Sequence, residues 1–297
     1  MTNKWLTRTE CLAFEEEADG VAVITLNRPD KRNALSRQLL DELRLAMLEA
    51  DDRRSVRCIV LRAAGPDFCA GYDLATNYNT GDAAAPPSFD PARYRTPLGS
   101  HDDDLWRLER NQADILSIFD IHKPVIAEVQ GRCLAGGTDV ALMCDMVIAA
   151  EDASIGFPAT RGQGSPPTHA WTYLVGPQWA KRLLLTGDLV SGRDAQAIGL
   201  VLEAVPADRL HATVMALARR VALVDADVLA CNKRIINLSL ELMGMRTLQR
   251  LAAENDARGH HAAAARHFVR RFGEAGLRQA VRERDEPFGD SHVRLAP

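Results

Sequence analysis

Apolar residues follow two alternating rhythms along this chain. Short β-branched or apolar runs at 21–26 (VAVITL), 57–64 (RCIVLRAA) and 124–131 (PVIAEVQG) read as strands. Turn residues bound them, as in Asn27-Arg28-Pro29 and Gly65-Pro66-Asp67. Between the strands, residues 35–50 place Leu39, Leu40, Leu43, Met47 and Leu48 at helical spacing, with Ser36 as the N-cap. A second amphipathic helix is predicted over 104–120. The segment CLAGGTDVALMCD (133–145) runs into a helix and then a strand at about 146–150. A Gly/Pro-containing loop over 159–175 turns helical near Trp171, and that helical stretch ends at Gly187. Ser191 caps another helix that ends at Gly199, and VLEAVP is read as the last strand.

From about residue 208 the pattern is helical almost to the end. Apolar spacing over 208–232 and 236–252 suits packing, and 266–286 is charged and amphipathic with a break near Gly273–Gly276. Strands alternating with helices argue an α/β core, here 1–207, and the tail at 208–297 argues an all-α appendage that serves oligomerisation. Residues 75–100, rich in Ala, Pro, Gly, Asn and Asp without any period, read as a loop insertion in the core.

Composition narrows the function classes. Of 297 residues, 46% are hydrophobic and 26% charged, the balance of a globular enzyme with a sizeable core. The net charge is −4 with no broad basic block, which disfavours nucleic acid as a partner. No apolar stretch approaches a membrane span, and the first twenty residues lack the continuous apolar segment of a signal peptide. The six cysteines are scattered and form no CxxC pair, so they read as buried free thiols of a reducing, cytoplasmic compartment.

Familiar motifs are mostly missing. There is no GxSxG elbow and no Walker loop, and Pro167 stands where Gly162-Gln163-Gly164 needs a third glycine for a dinucleotide site. His260-His261, in an Ala-rich helix with no carboxylate pattern, reads as an exposed helix face rather than a metal site; no metal is expected. Two stretches stand above this background. In FCAGYDL a strand ends, Gly71 permits an unusual backbone angle, and the next amide, Tyr72, can point into a cleft. In LAGGTD, Gly136 can present a free N–H at a helix start, where unpaired amides carry partial positive charge. Two such amides converging on one point make an oxyanion hole. The competing reading is a pair of ordinary strand–Gly–helix turns, with Thr138 or Asp139 as a helix cap.

NRPDKRNALS, FCAGYDL and PVIAEVQGRCLAGGTDVALMCDMVIAAEDASIGFP together resemble the crotonase superfamily, the enoyl-CoA hydratase/isomerase family, over about residues 12 to 205. The resemblance implies an α/β fold, a spiral of ββα turns with a C-terminal helical region, assembled as a homotrimer or a dimer of trimers. It implies an acyl-CoA or enoyl-CoA thioester substrate, with coenzyme A as part of the substrate and no separate cofactor. The backbone N–H groups of Tyr72 and Gly136 would hold the thioester oxygen. Lys31 and Arg32 would meet CoA phosphates, and Ala34, Ala70, Asp73 and Leu74 the adenine and pantetheine; a solvated turn is the alternative for Lys31 and Arg32.

The family's hydratases use two glutamates, and the matching positions here are Asp139 and Ala159. Asp139 keeps a carboxylate for acid/base or water-orienting work, whereas Ala159 cannot transfer a proton. His169 is a candidate replacement by its intrinsic pKa, or else a helix-start histidine at the surface or a subunit contact. Arg161 can bind a carboxylate on the acyl group or stand as a solvated or ion-paired loop residue. Ala280 and Glu283 occupy positions where the family often sets an aromatic residue and a lysine against CoA; Arg282 and Arg284 replace them or form a solvated face. The expected activity is a hydratase-type lyase of fatty acid metabolism acting on a 2-enoyl-CoA. The alternatives are an isomerase, decarboxylase or hydrolase of the same family, or a CoA-ester-binding member without catalysis.

Overall fold

The structure, a computed structural model, describes residues 3–74, 93–95 and 100–295. Most of the predicted 75–100 insertion therefore lies outside the described residues. Strand β1 (Leu12–Glu16) pairs antiparallel with β2 (Val21–Leu26). From β2 the sheet continues in parallel through β3 (Cys58–Ala63), β4 (Val125–Val129), β6 (Met146–Ala150) and β9 (Glu203–Val205). Its central strands are mostly apolar, with Thr25, Arg62 and Glu128 as the exceptions, because helices cover parallel strands on both faces. A second sheet runs beside it. β5 (Arg132–Leu134) pairs parallel with β7 (Ser154–Gly156), β7 pairs antiparallel with β8 (Leu189–Ser191), and β8 pairs parallel with β10 (His292–Val293). Consecutive pairs such as β4–β5 and β6–β7 thus give one strand to each sheet, the ββα turn of the expected spiral.

The sequence pattern placed β2 as observed but missed β1, β5, β7, β8 and β10. Strand β9 is not the last strand, as had been expected, because β10 returns from the C-terminus to the second sheet. The missed strands have two to five residues, too short for an alternating pattern to show.

Helix α1 (Arg37–Asp52) starts where Ser36 Oγ accepts the Leu39 N–H at 3.2 Å. It buries Leu39, Leu40, Leu43, Ala46, Met47 and Ala50. Helix α2 (His101–Asp120) begins three residues before the expected start. Ser100 caps it, and Asp102, Asp103 and Asp104 complement the positive end of its dipole. The short helix α3 (Gly136–Ala141) follows β5. Helix α4 (Trp171–Thr186) is interrupted at Gly176, just before Pro177, and ends at Gly187 in the left-handed conformation. Helix α5 (Gly192–Ala197) is capped by Ser191, whose hydroxyl accepts the Asp194 N–H at 3.0 Å.

The remaining helices are α6 (Leu210–Ala222), α7 (Ala226–Leu242), α8 (Met245–His260), α9 (Ala263–Ala275) and α10 (Leu277–Asp285). α6 packs on β3 and β4. α7 is pinned by Lys233, which is buried, donates to the Ile118 and Lys123 carbonyls at 3.0 Å and pairs with Asp145 at 2.9 Å. Left-handed Gly244 separates α7 from α8, where the apolar spacing suggested one stretch over 236–252. Gly276 makes the expected break between α9 and α10. Five of the six cysteines are buried; the sixth, Cys231 on α7, is exposed, which corrects the expectation for that residue. Among the described residues no helix is long and apolar enough to cross a membrane.

One contact joins the ends of β3 and β5. Cys69 and Cys133 form a parallel bridge, and Asp67 accepts the Arg132 N–H at 3.0 Å. A Cβ at Gly137 would sit 2.6 Å from the Cys69 carbonyl oxygen and 2.9 Å from the Cys69 Cβ. Backbone cannot yield as a side-chain tip can, so Gly137→Ala is expected to destabilise the fold by about 1–3 kcal/mol. Urea unfolding of the variant against wild type measures this, and equal midpoints would refute it.

Candidate active site

The two glycine-marked stretches meet in space. At the end of β3 the chain turns through Gly65–Asp67 and runs along β5 to Gly71, whose φ of +107° lies in the region that favours glycine. A Cβ there would stand 3.0 Å from the Ala135 Cβ and 3.6 Å from the Gly136 nitrogen. Opposite, Ala135 adopts φ +48°, ψ −120° and donates its N–H to the Gly156 carbonyl at 2.9 Å. That conformation in a non-glycine residue costs on the order of 1–3 kcal/mol, strain of the kind that clusters at functional sites. It turns the chain so that α3 starts against Tyr72. A Cβ on Gly136 would lie 2.9 Å from both the Leu35 side chain and the Tyr72 ring.

The Tyr72 and Gly136 N–H groups have no acceptor among the described residues. The flanking amides are used: Leu35 donates to Gly71, Asp73 donates to Leu35, and Thr138 donates to Ala135. The first amide of a helix has no intrahelical acceptor, and Tyr72 lies at a lone bridge to Leu35 that leaves its N–H free.

Asp139 is buried and accepts a hydrogen bond from the Tyr72 hydroxyl at 2.9 Å. Its other oxygen, Oδ1, is buried without a partner among the described residues. Asp139 does not cap α3: the N-cap is Ala135, with no side-chain bond, and the Thr138 hydroxyl donates to the Ala135 carbonyl. Burial pushes the Asp139 carboxyl well above its ordinary pKa; the nearby Asp256 charge adds to this, and the Tyr72 hydrogen bond opposes it. Burial, reinforced by the Asp139 charge, raises the Tyr72 phenol as well.

Tyr72 faces a cavity of about 870 Å³. Lys31, Arg32, Ala34, Ala70, Asp73 and Leu74 line it, so the expected CoA-contact residues share one opening. Asn33 builds their turn. Its buried side chain accepts the Arg28 N–H and donates to the Ala64 and Asp67 carbonyls, holding Arg32 and Asn33 at positive φ. Asp73 pairs with Arg28 at 3.0 Å, Arg32 lies 4.0 Å from Asp67, and Lys31 has no ion pair among the described residues.

The cavity also receives Ala159, whose carbonyl accepts the Gln163 N–H at 2.7 Å, and four charged or titratable residues from three helices, Arg107 on α2, Asp256 and His260 on α8, and Arg284 on α10. His260 Nδ1 lies 2.5 Å from Asp104 Oδ2, and its Nε2 lies 3.7 Å from Asp256 Oδ1. The exposed-face reading of His260-His261 is therefore correct for His261 only. Asp256 and His260 stand four residues apart and share a helix face. That spacing had no part in the expectation from sequence, and nothing local marks that the face turns inward.

Other candidates lie elsewhere. His169 does not line the cavity. Its ring contacts the Thr172 hydroxyl at 2.9 Å, while its backbone N–H and carbonyl are tied to the Gln249 side chain at 2.9 and 3.0 Å. Arg161 reaches the cavity wall, but its side chain is committed to Asp188, Asp285, Ser291 and the Thr186 carbonyl. Of the two tail arginines, Arg282 is exposed, whereas Arg284 is largely buried and bonds Asp285 and Gln163, so the solvated-face reading fails for it.

The enoyl-CoA hydratase/isomerase family profile matches residues 16–276. EchA13 of Mycobacterium tuberculosis is 34% identical over 252 residues, covering 79% of this chain and 76% of that protein. The crystal structure of an enoyl-CoA hydratase from Mycobacterium smegmatis superposes with a TM-score of 0.86 at 34% identity, over 96% of this chain and 97% of that one. That of an enoyl-CoA hydratase/isomerase from Xanthobacter autotrophicus Py2 gives 0.85 at 32% identity, over 95% and 99%. With the ββα spiral and the juxtaposed 72 and 136 loops, these matches show that the chain belongs to the enoyl-CoA hydratase/isomerase family of the crotonase superfamily and is an enzyme of that family.

Proposed function

We propose that this protein is a hydratase-type lyase that adds water to a 2-enoyl-CoA thioester. The observation that carries the reading is the pair of amides, Tyr72 and Gly136, without an acceptor among the described residues, on loops packed against each other where Tyr72 and Ala135 line a cavity together with the six expected CoA-contact residues. The thioester oxygen accepts hydrogen bonds from both N–H groups. Water addition at C3 sends the C2=C3 electron pair toward that oxygen, and each preorganised donor there contributes roughly 3–4 kcal/mol to the transition state. Lys31 and Arg32 take the CoA phosphates, and the backbone around Ala34, Ala70, Asp73 and Leu74 takes the adenine and pantetheine. CoA enters as part of the substrate, with no further cofactor.

Asp139 supplies the proton for C2 through the Tyr72 hydroxyl, which stands between it and the cavity. Burial favours the protonated carboxyl, the form a general acid needs. A homotrimer or dimer of trimers is supported by exposed apolar side chains on and just after α7, Val228, Ile235, Ile236, Leu242 and Met243. A cytoplasmic location is supported by six cysteines that are all free.

Incubation with 2-enoyl-CoA thioesters in D₂O, followed by mass spectrometry, tests the activity. Gain of one water is expected; α-deuteration without hydration would replace the hydratase by an isomerase-type enzyme. Lys31→Ala with Arg32→Ala is expected to raise KM for the thioester with little change in kcat, most visibly at low salt. An unchanged KM would move the phosphates elsewhere.

Asp139→Asn is expected to lower hydration about 10²–10⁴-fold. Its stability should move the other way. A carboxyl whose native pKa is raised above its unfolded value of about 3.9 makes the wild type lose stability as pH rises through the interval between the two. The asparagine has no such loss, so its stability relative to wild type should increase from about pH 5 to about pH 8. Denaturant melts at both pH values check this, and a constant difference would contradict the buried, proton-holding carboxyl.

A further inference from the structure

Ala159 removes one of the two proton-transferring groups that hydration requires, yet the cavity holds a carboxylate from another part of the chain. Asp256, on α8, is buried at the cavity wall beside Gly164 and Pro167. Its Oδ1 accepts the Ser165 N–H at 2.8 Å, in the loop that follows Ala159. Its Oδ2 has no partner among the described residues. Gly164 permits this approach: a Cβ there would fall 2.0 Å from Asp256 Oδ1. Behind Asp256 stands His260, and behind His260 stands Asp104, itself bonded by Arg107 at 2.5 Å. The chain Asp256–His260–Asp104 leads from the cavity into the contact between α2 and α8.

We infer that Asp256, oriented by the Ser165 amide and backed by the His260–Asp104 pair, is the general base of this enzyme, doing from the C-terminal helices the work that Ala159 cannot. The inference rests on the hydratase reading above. Asp256 takes a proton from water, the water oxygen bonds C3, and the C2=C3 electron pair moves to the thioester oxygen. C2 then takes a proton from the Tyr72 hydroxyl, which Asp139 replenishes. Passage of the proton from Asp256 to Asp139 through solvent restores both carboxyls, and the net change is one water added.

The electrostatics divide the two roles. Burial raises Asp256 to about 6, moderated by the His260 charge and the Ser165 N–H, so it is ionised at neutral pH. Burial also raises Asp139 well above its ordinary value, against the Tyr72 hydrogen bond, and so favours its protonated form. Burial works against the charged form of His260, but the Asp104 hydrogen bond and the Asp256 and Asp104 charges outweigh it and raise its pKa. The charged or titratable groups facing Asp256 are Asp104 and Arg107 from α2, His260 on its own helix, Asp139 on α3, and Tyr72. Asp104 opposes its ionisation, whereas His260 and Arg107 favour it; the Asp256 charge in turn raises Asp139.

The test compares full-length wild type, Asp256→Asn and His260→Gln on an enoyl-CoA that wild type converts, from about pH 5 to about pH 9. Wild-type kcat/KM should fall on the acid side near pH 6, as Asp256 gains a proton. Asp256→Asn, which can still accept the Ser165 N–H, should lose about 10²–10⁴-fold in kcat with KM little changed, and should lose the acid limb. His260→Gln should keep more activity and move the acid limb to higher pH, because no imidazolium remains to favour the carboxylate. An Asp256→Asn enzyme with wild-type kcat and an intact acid limb overturns the inference and leaves the hydratase reading standing. Should Asp256→Asn fail to fold, an unmoved acid limb in His260→Gln overturns it instead. A wild type that binds the thioester but neither hydrates it nor exchanges its α-proton overturns both.

Discussion

The close approach of two backbone segments, 69–72 and 134–137, is the constraint on which the rest of the site depends. Cβ atoms at positions 136 and 137 would collide with Leu35, Tyr72 and Cys69, and Gly71 needs its positive φ to pass Ala135. The glycines therefore serve first to bring the chain against itself. The strained Ala135 is the counterpart: its N–H is anchored on Gly156 in β7, so the second sheet holds the turn in a conformation it would not adopt alone. Two amides without an acceptor among the described residues, Tyr72 and Gly136, are the consequence of that packing.

Burial shapes the chemistry behind those amides. A carboxyl enclosed with one oxygen unpartnered among the described residues and a tyrosine hydroxyl on the other is costly to ionise, so burial favours the protonated form of Asp139 more than an exposed helix cap would. Asp256 is as enclosed, but a backbone amide and a neighbouring imidazole offset part of the burial. Two residues of one chemical type are thereby held at different proton affinities.

The C-terminal helices do more than cover the core. Lys233 ties α7 to carbonyls of α2 and the following turn, Gln249 on α8 ties down the His169 backbone, and Arg161 clamps the loop after β7 to the segment before β10. The Gln249 contact and the packing of α8 on α2 hold α8 beside the cavity, with Asp256 and His260 on its wall. His169, by contrast, has its backbone fixed by Gln249 and its ring occupied by Thr172, away from the cavity.

Local pattern determined much of this protein. The central strands, the Ser36 and Ser191 caps, the Gly276 break and the identity of the Tyr72 and Gly136 loops were all legible, because each depends on residues within a few positions of one another. The family motifs likewise marked Ala159 as a missing carboxylate. Strands of two to five residues were not legible, since they exist only by pairing with distant partners. Nor was the cap reading of Asp139 distinguishable from a buried one, because both put an aspartate in a first helical turn. His260 shows the limit most clearly: its spacing from Asp256 defines a face, but only the packing of α8 on α2, more than a hundred residues away in sequence, turns that face inward. Periodicity reports that a helix has faces; the tertiary fold decides which of them meets water, which meets the core and which meets the substrate.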